Sequence, residues 1–226
     1  MFYPERIKNI KPNDRVLEVG PGSKPYKRSD VLLEKNYSQE EEYKAQIAYT
    51  KGLKTKKEVF YYDGGKFPFS DKEFDYVICS HVLEHVDDLD FFVSEIIRVG
   101  KKGYFEFPTI YYDYIYDFPM HISFVFYKDE TICWMPKSES TLRGFKDITG
   151  FFYLTLERRY NSLVGDLHNY FFQGFEWFDD IKTKRVYNIS EVCFDAPFTI
   201  APKKHGVFPI AQLLIKEIIN KTFKRS

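Results

Sequence analysis

Cysteine is scarce in this sequence. Cys79, Cys133 and Cys193 stand far apart, with no CxxC pair and no histidine at ligand spacing. That pattern gives neither a zinc site nor a disulfide framework, and no metal ligand set is read from the sequence. Isolated thiols fit a reducing compartment. MFYPERIKNI has no apolar segment of the secretory kind, so a cytoplasmic location is expected. A run of about 18 apolar residues, the length that spans a bilayer, is missing too. Charge of one sign is also lacking. Lys+Arg and Asp+Glu are both 33, so there is no electrostatic footprint for DNA or RNA, and no nucleic-acid partner is expected. There are no repeats and no low-complexity linker.

Aromatics are plentiful, with 23 Phe and 18 Tyr. They suit an aromatic-rich core or an aromatic-lined pocket for a sugar or a base. The first half alternates short apolar runs with helical patterns. DRVLEVG, DVLLEK, EVFYYDGG, FDYVICS and KGYFEFP read as five strands. EEEYKAQIAYTKGL reads as a helix. DDLDFFVSEIIRVG reads as an amphipathic helix capped by Asp87 or Asp88, with Phe91, Phe92, Ile96 and Val99 on its apolar side and Gly100 at its end. Near-continuous apolar strands alternating with helices imply a mostly parallel sheet covered on both faces. Past Pro108 the texture becomes aromatic and strand-like, with YKDE as a hairpin turn between ISFVF and TICWM. SESTLRGFKDITG reads as a helix, FFYLTLERRY as a strand, and FPIAQLLIKEIINKTFKRS as an amphipathic helix with a basic end. That last helix packs on the sheet or makes a weak contact with a membrane surface.

VLEVGPGSKPY poses the functional question. A buried strand ends in a carboxylate and a Gly-Pro-Gly-Ser turn. In an open α/β sheet that is where nucleotide-like ligands bind. Gly20 and Gly22 let the backbone turn sharply and approach a ligand closely. The pattern is not GxGxxG, and no GK[ST] follows, so it is no phosphate cradle. Glu34 ends the second strand, where an acid accepts both ribose hydroxyls. Asp63 ends the third, followed by Gly64 and Gly65, and can accept from an exocyclic adenine amine. Three acids without a phosphate cradle suit a nucleoside carrying positive charge.

Over roughly residues 14–108 the sequence resembles the class I S-adenosylmethionine-dependent methyltransferases, in particular the small-molecule type with an LEH triplet. VLEVGPGSKP resembles that family's first motif and LLEKN its second. In YYDGGKFPFSDKEFDYVICSHVLEHV an Asp, a PF pair, an FD pair and LEH occur in the family's order. The resemblance implies a Rossmann-like doubly wound sheet, with added strands and helices after the fifth strand, and S-adenosyl-L-methionine as cofactor. It places Glu18, Gly20, Pro21, Gly22 and Ser23 at the methionine moiety, Glu34 at the ribose, and Asp63 with Gly64 at the adenine. Ser80 and His81 would lie near the sulfonium. One departure stands out: only residues 23–33 separate Gly22 from Glu34. The usual helix there is cut to a turn or a very short helix, which leaves the cofactor more exposed or lets Lys24, Tyr26 and the N-terminal segment cover it.

The implied reaction is a methyl transfer (EC 2.1.1), with a small-molecule hydroxyl as the expected acceptor, such as a sugar or sugar nucleotide. No NPPY or DPPY follows the fourth strand, which argues against amino methylation of bases or glutamine. His81 and His121 are the candidate general bases, each with a positioning or core role as its alternative; Asp113 and Glu106 are weaker ones. His85, Tyr111 and Asp113 are candidate acceptor contacts, although His85 with Glu84 also suits a structural turn, and Glu106 suits pairing with a neighbouring strand. Residues 1–108 would form the cofactor core, 109–205 the acceptor side and sheet completion, and 206–226 a terminal helix, all in one domain. The rival expectations are a protein or lipid acceptor, or a non-catalytic methyltransferase-like scaffold.

Overall fold

The computed structural model describes residues 3–36, 53, 55–140 and 168–194. All of them fall in one compact unit, Met1–Phe194. Its main sheet has six strands in the order β3-β2-β1-β4-β5-β8. β1 (Val16–Val19), β2 (Val31–Lys35), β3 (Glu58–Tyr62), β4 (Tyr76–Ser80) and β5 (Lys102–Pro108) are parallel. β8 (Phe172–Phe178) closes the edge antiparallel to β5. The order reverses at β1 and β4, and the crevice outside their carboxyl ends is the ligand position of an open α/β sheet. The expected Rossmann-like, mostly parallel sheet is borne out, including its completion by a strand from the second half.

The register sets two different faces. Leu17, Val19, Leu33, Val77, Cys79 and Phe105 belong to one large cluster with the buried side of helix α1 (Leu89–Val99). Asp88 caps α1, its side chain accepting from the amide of Phe91 at 3.0 Å. Phe92, Val93, Ile96 and Val99 are buried, whereas Phe91, expected on the apolar side, is exposed. At 100° per residue, the buried Leu89, Val93 and Ile96 set a stripe that passes Phe91 by.

The opposite face carries Val16, Tyr76, Ile78 and Tyr104, and Ile7, Ile10 and Tyr26 pack against them. Within residues 20–30 there is no helix. The N-terminal segment, with a 3₁₀ turn at Pro4–Arg6, lies where a crossover helix would stand. Tyr3 donates its amide to Glu106 at 2.9 Å and its hydroxyl to the carbonyl of His168 at 2.9 Å.

Two expectations for the second half are corrected or refined. IYYDYIY, expected as a strand, is helix α2 (Ile110–Tyr116). Its buried residues Ile110, Asp113 and Tyr116 fall at helical spacing, a period that the unbroken aromatic run conceals. The hairpin is as expected: β6 (Ser123–Lys128) and β7 (Thr131–Pro136) pair antiparallel. Asp129 and Glu130 both have positive φ, the requirement of a two-residue primed turn. β9 (Lys182–Arg185) joins β7 in parallel to complete a second, three-stranded sheet. A short helix α3 (His168–Phe171) leads into β8. The helices expected at 40–53 and 208–226 and the strand at 151–160 lie outside the described residues, apart from Leu53. So does the expected helix beyond Ser140; residues Lys137–Glu139 at its start form a 3₁₀ turn. No helix among the described residues is long and apolar enough to cross a membrane.

Candidate active site

A crevice of about 410 Å³ opens at the carboxyl ends of β1 and β4, lined by Pro4, Glu18, Gly20, Pro21, Tyr26 and Ser80, with Lys24, Pro25 and Lys27 at its side. This falls within the size range of small-ligand pockets, about 300–1,000 Å³. Glu18 is buried. Its Oε2 accepts from the Tyr26 amide and the Ser29 hydroxyl, both at 2.7 Å, which leaves Oε1 to receive a ligand's donor. Burial pushes the Glu18 carboxyl up; those two bonds and the Lys57 charge oppose the shift. Lys57 in turn donates to the carbonyls of Tyr26 and Ser29, fastening the short connection between β1 and β2.

The two glycines of the turn serve different ends. Gly20 has φ +62°, and a Cβ there would stand 2.5 Å from Val82 Cγ2. Gly22 has φ +58° and nothing within 4 Å of a Cβ position, so its backbone borders open space. The residues present therefore fit a cationic nucleoside: an acid with one unused oxygen, a backbone free for close approach, and room for the ligand.

Glu34 projects from the same face as Glu18, since Glu18 pairs with Leu32 and Glu34 lies two residues on. Burial raises its carboxyl's affinity for protons. Asp63 follows β3, is exposed, and accepts from the Asn36 side chain at 3.0 Å. Gly64 beside it has φ +89°. Glu34 and Asp63 share the carboxyl rim of the sheet with Glu18 but lie beyond the crevice, one and two strands across.

Beyond Ser80 the rim becomes a knot of histidines and carboxylates. Glu106, fully buried, receives Tyr3 N at 2.9 Å and the Tyr104 hydroxyl at 2.7 Å on Oε2. Its Oε1 receives the Ser80 hydroxyl at 2.9 Å and His81 Nε2 at 3.1 Å. Of the two roles expected for Glu106, base or strand neighbour, the structure gives the second: both oxygens bind the scaffold. His81 sits in the left-handed region, with φ +58°, and its Nδ1 lies 3.4 Å from Glu84 Oε1. Burial pulls the His81 ring toward neutrality, but Glu106 and Glu84 outweigh it and raise its pKa. Both ring nitrogens thus face carboxylates.

Glu84 belongs to the 3₁₀ turn Leu83–His85 and is fully buried. Burial alone would raise its pKa, yet His81, His85 and His121 around it bring it down to about 2. Neither of its oxygens accepts a hydrogen bond; the 3.4 Å approach of His81 is an ion pair without hydrogen-bond geometry. His85 donates Nδ1–H to the Met120 carbonyl at 2.9 Å, and burial lowers its pKa. His121 Nδ1 makes a short hydrogen bond to Asp113 Oδ1. Asp113 is fully buried on α2, where it orients His121. Tyr111 stacks on Phe194 with ring centroids 5.4 Å apart, and its hydroxyl accepts from the Phe194 amide. Tyr112 packs among Phe118, Phe171 and Phe172. Much of the aromatic run therefore packs against core, while Tyr114 is exposed.

Sequence reasoning offered the N-terminal segment as a cover but did not single out Pro4 in the crevice wall or Tyr3 as the tether that holds it there. It also gave Glu84 no more than a turn-forming role. The nearest signal was the shortened β1–β2 connection, which calls for a substitute cover.

Residues 17–105 match the family model described as methyltransferase domain. The cofactor this supports is S-adenosylmethionine, as the resemblance of the motifs implied. Solved structures with a similar arrangement include an S-adenosylmethionine-dependent methyltransferase from Mesorhizobium loti, 18% identical over 45% of this chain and 50% of that one, with a TM-score of 0.33. A protein from Pyrococcus horikoshii is 22% identical over 57% of this chain and 65% of its own, at 0.36. A putative methyltransferase from Bacillus halodurans is 21% identical over 49% and 55%, at 0.34. The chain thus spans about half the length of the solved structures first matched. No curated protein matches it.

Proposed function

We propose that this chain transfers the methyl group of S-adenosylmethionine to a hydroxyl of a small molecule, with a sugar or sugar nucleotide as the acceptor class. The observation that carries the first part is the β1–β4 crevice, with Glu18 Oε1 unused and Gly22 bordering open space, inside the segment that matches the methyltransferase domain. Glu18 would hold the amino group of the methionine moiety, and Glu34 and Asp63 the ribose and adenine along the rim. When bound, the cofactor supplies an activated methyl group; the protein's task is to align an acceptor and exclude water. Alignment alone lowers such a barrier by about 7–11 kcal/mol. Pro4, held down through Tyr3, shields the crevice from the N-terminal side.

The acceptor side supports a polar, uncharged nucleophile. Past Ser80 it presents His85 and His121 rather than a basic surface. Of the two histidines considered as bases, His81 has both nitrogens facing carboxylates. His121 has one nitrogen fixed by Asp113 and the other left to meet an acceptor or an ion.

Calorimetry with S-adenosylhomocysteine tests the cofactor assignment. The wild type should bind, and Glu18→Gln should weaken binding about tenfold or more, the worth of one charge-assisted hydrogen bond. Glu34→Ala and Asp63→Ala should each weaken it as well. A wild type that does not bind, or three variants indistinguishable from it, would refute the proposal.

A further inference from the structure

Three of the chain's five histidines, His81, His85 and His121, gather around one buried carboxylate. Glu84 has both oxygens buried and without a hydrogen-bond partner. A buried carboxylate left so costs free energy unless something else takes its lone pairs. His85 and His121 present ring nitrogens to it from two different segments, their rings 4.8 Å apart and nearly perpendicular. Ligand atoms of Glu84, His85 and His121 all lie within 4.8 Å of one another.

Both imidazoles are already oriented in the manner of metal ligands. A metal-binding histidine commonly donates its other N–H to a carbonyl or carboxylate, which fixes the tautomer and raises the basicity of the free nitrogen. His85 does this through Nδ1 to the Met120 carbonyl, and His121 through Nδ1 to Asp113. In each case Nε2 keeps its lone pair, and that of His85 lies 3.9 Å from Glu84 Oε1. Around the same turn, the amide of Ile122 donates to the carbonyl of Glu84 at 2.8 Å, which ties the two ligand-bearing segments together.

The geometry points to a divalent transition-metal site formed by Glu84, His85 and His121, with Asp113 and the Met120 carbonyl holding the imidazoles. Two nitrogens and one carboxylate suit Zn²⁺, Mn²⁺, Fe²⁺ or Co²⁺ rather than a hard ion with an all-oxygen shell. Three protein ligands leave positions for water or for acceptor hydroxyls. The binding site stands on these contacts alone. Its use in catalysis rests on the proposed methyl transfer: a bound ion would gather neighbouring hydroxyls of the acceptor and ease loss of a proton from one of them.

The test uses the full chain, stripped with chelator and titrated with Co²⁺, read by visible absorption and by calorimetry. One equivalent should bind, with absorption characteristic of low coordination number. Glu84→Gln and His121→Asn should abolish it. Asp113→Asn, which leaves all three ligands in place, should weaken binding about 10–100-fold. Binding of S-adenosylhomocysteine is measured on the same samples. Co²⁺ binding without nucleoside binding would refute methyl transfer and leave the metal site standing. Nucleoside binding without Co²⁺ binding at about 1 mM would overturn the metal site, as would Co²⁺ binding that all three substitutions leave unchanged. Should a ligand variant fail to fold, anomalous scattering from Co²⁺-soaked wild-type crystals decides: a peak between the three residues upholds the site, and none there removes it.

Discussion

Replacing Gly20 by alanine perturbs the crevice at its tightest point. Two separable costs follow from the structure. The backbone sits at φ +62°, and an L-residue with a Cβ pays about 1–2 kcal/mol for the left-handed conformation. The new Cβ would also stand 2.5 Å from Val82 Cγ2. Val82 is β-branched and stiff at χ1, so it cannot rotate away freely, and overpacking of this kind costs about 1–3 kcal/mol. Together Gly20→Ala should lose about 2–5 kcal/mol in urea unfolding. Val82 directly precedes the 3₁₀ turn that holds Glu84 and His85, so relief by movement would displace those two residues. The double variant Gly20→Ala, Val82→Ala separates the costs. With Cγ2 gone the closest remaining Val82 atom is Cβ, at 3.7 Å, an ordinary contact. The double variant should therefore show a favourable coupling of about 1 kcal/mol or more, as neighbours in contact do. A single variant within about 0.5 kcal/mol of wild type, the range of an ordinary surface change, would refute the reasoning, and so would a double variant with no coupling.

Glu95 and Arg98 join α1 to the loop after β3. Two Arg98 nitrogens meet the two carboxylate oxygens at 2.7 Å each, and the Phe67 amide adds a third bond at 2.7 Å. Glu95→Ala should cost about 2 kcal/mol, between the exposed and the fully buried limits for ion pairs. The Arg98 hydrogen bonds, against burial, hold the Glu95 carboxyl below its ordinary 4.5. Its stabilisation is thus full above that value and is lost as pH falls through the lower, folded-state value. Wild type and Glu95→Ala should converge in stability on acidification below pH 4.5; a gap that stays constant would contradict this. His81→Ala leaves Glu84 and Glu106 buried without the cation between them, so about 3–5 kcal/mol should be lost in chemical denaturation. A thermally unchanged His81→Ala would show that the ring is not what compensates those charges.

The part of the molecule up to β5 was legible because its signals are local. VLEV followed by two glycines fixes a buried strand and a turn, and in the structure Gly20 and Gly22 both have positive φ. Asp88 and Gly100 mark the ends of α1 by capping chemistry that sequence displays directly. The cluster around Glu84 and His121 was not legible in the same way. Asp113 and His121 are eight residues apart on opposite sides of a turn, and they meet only because IYYDYIY coils into a helix that the aromatic run disguised as strand. Glu84 looked like part of a turn because its meaning depends on His121, which arrives from beyond the fifth strand. Pro4 and Tyr3 reach the crevice over a sequence separation of about a hundred residues from Glu106. No local pattern encodes such a contact, since it follows from which face of the sheet lacks a helix.

That missing helix connects the two halves of the structure. The face of Val16, Tyr76, Ile78 and Tyr104 is apolar and has to be covered. A crossover helix would cover it. Here residues 3–10 do so instead, and the coverage is anchored in Glu106 through Tyr3 and Tyr104. The same carboxylate holds Ser80, which lines the crevice, and His81, which faces Glu84. The cover of the crevice and the orientation of His81 beside Glu84 therefore share one buried anion. Four donors among the described residues converge on Glu106, two on each oxygen. With no helix between β1 and β2, residues 3–10 lie within the hydrogen-bond network that borders the crevice.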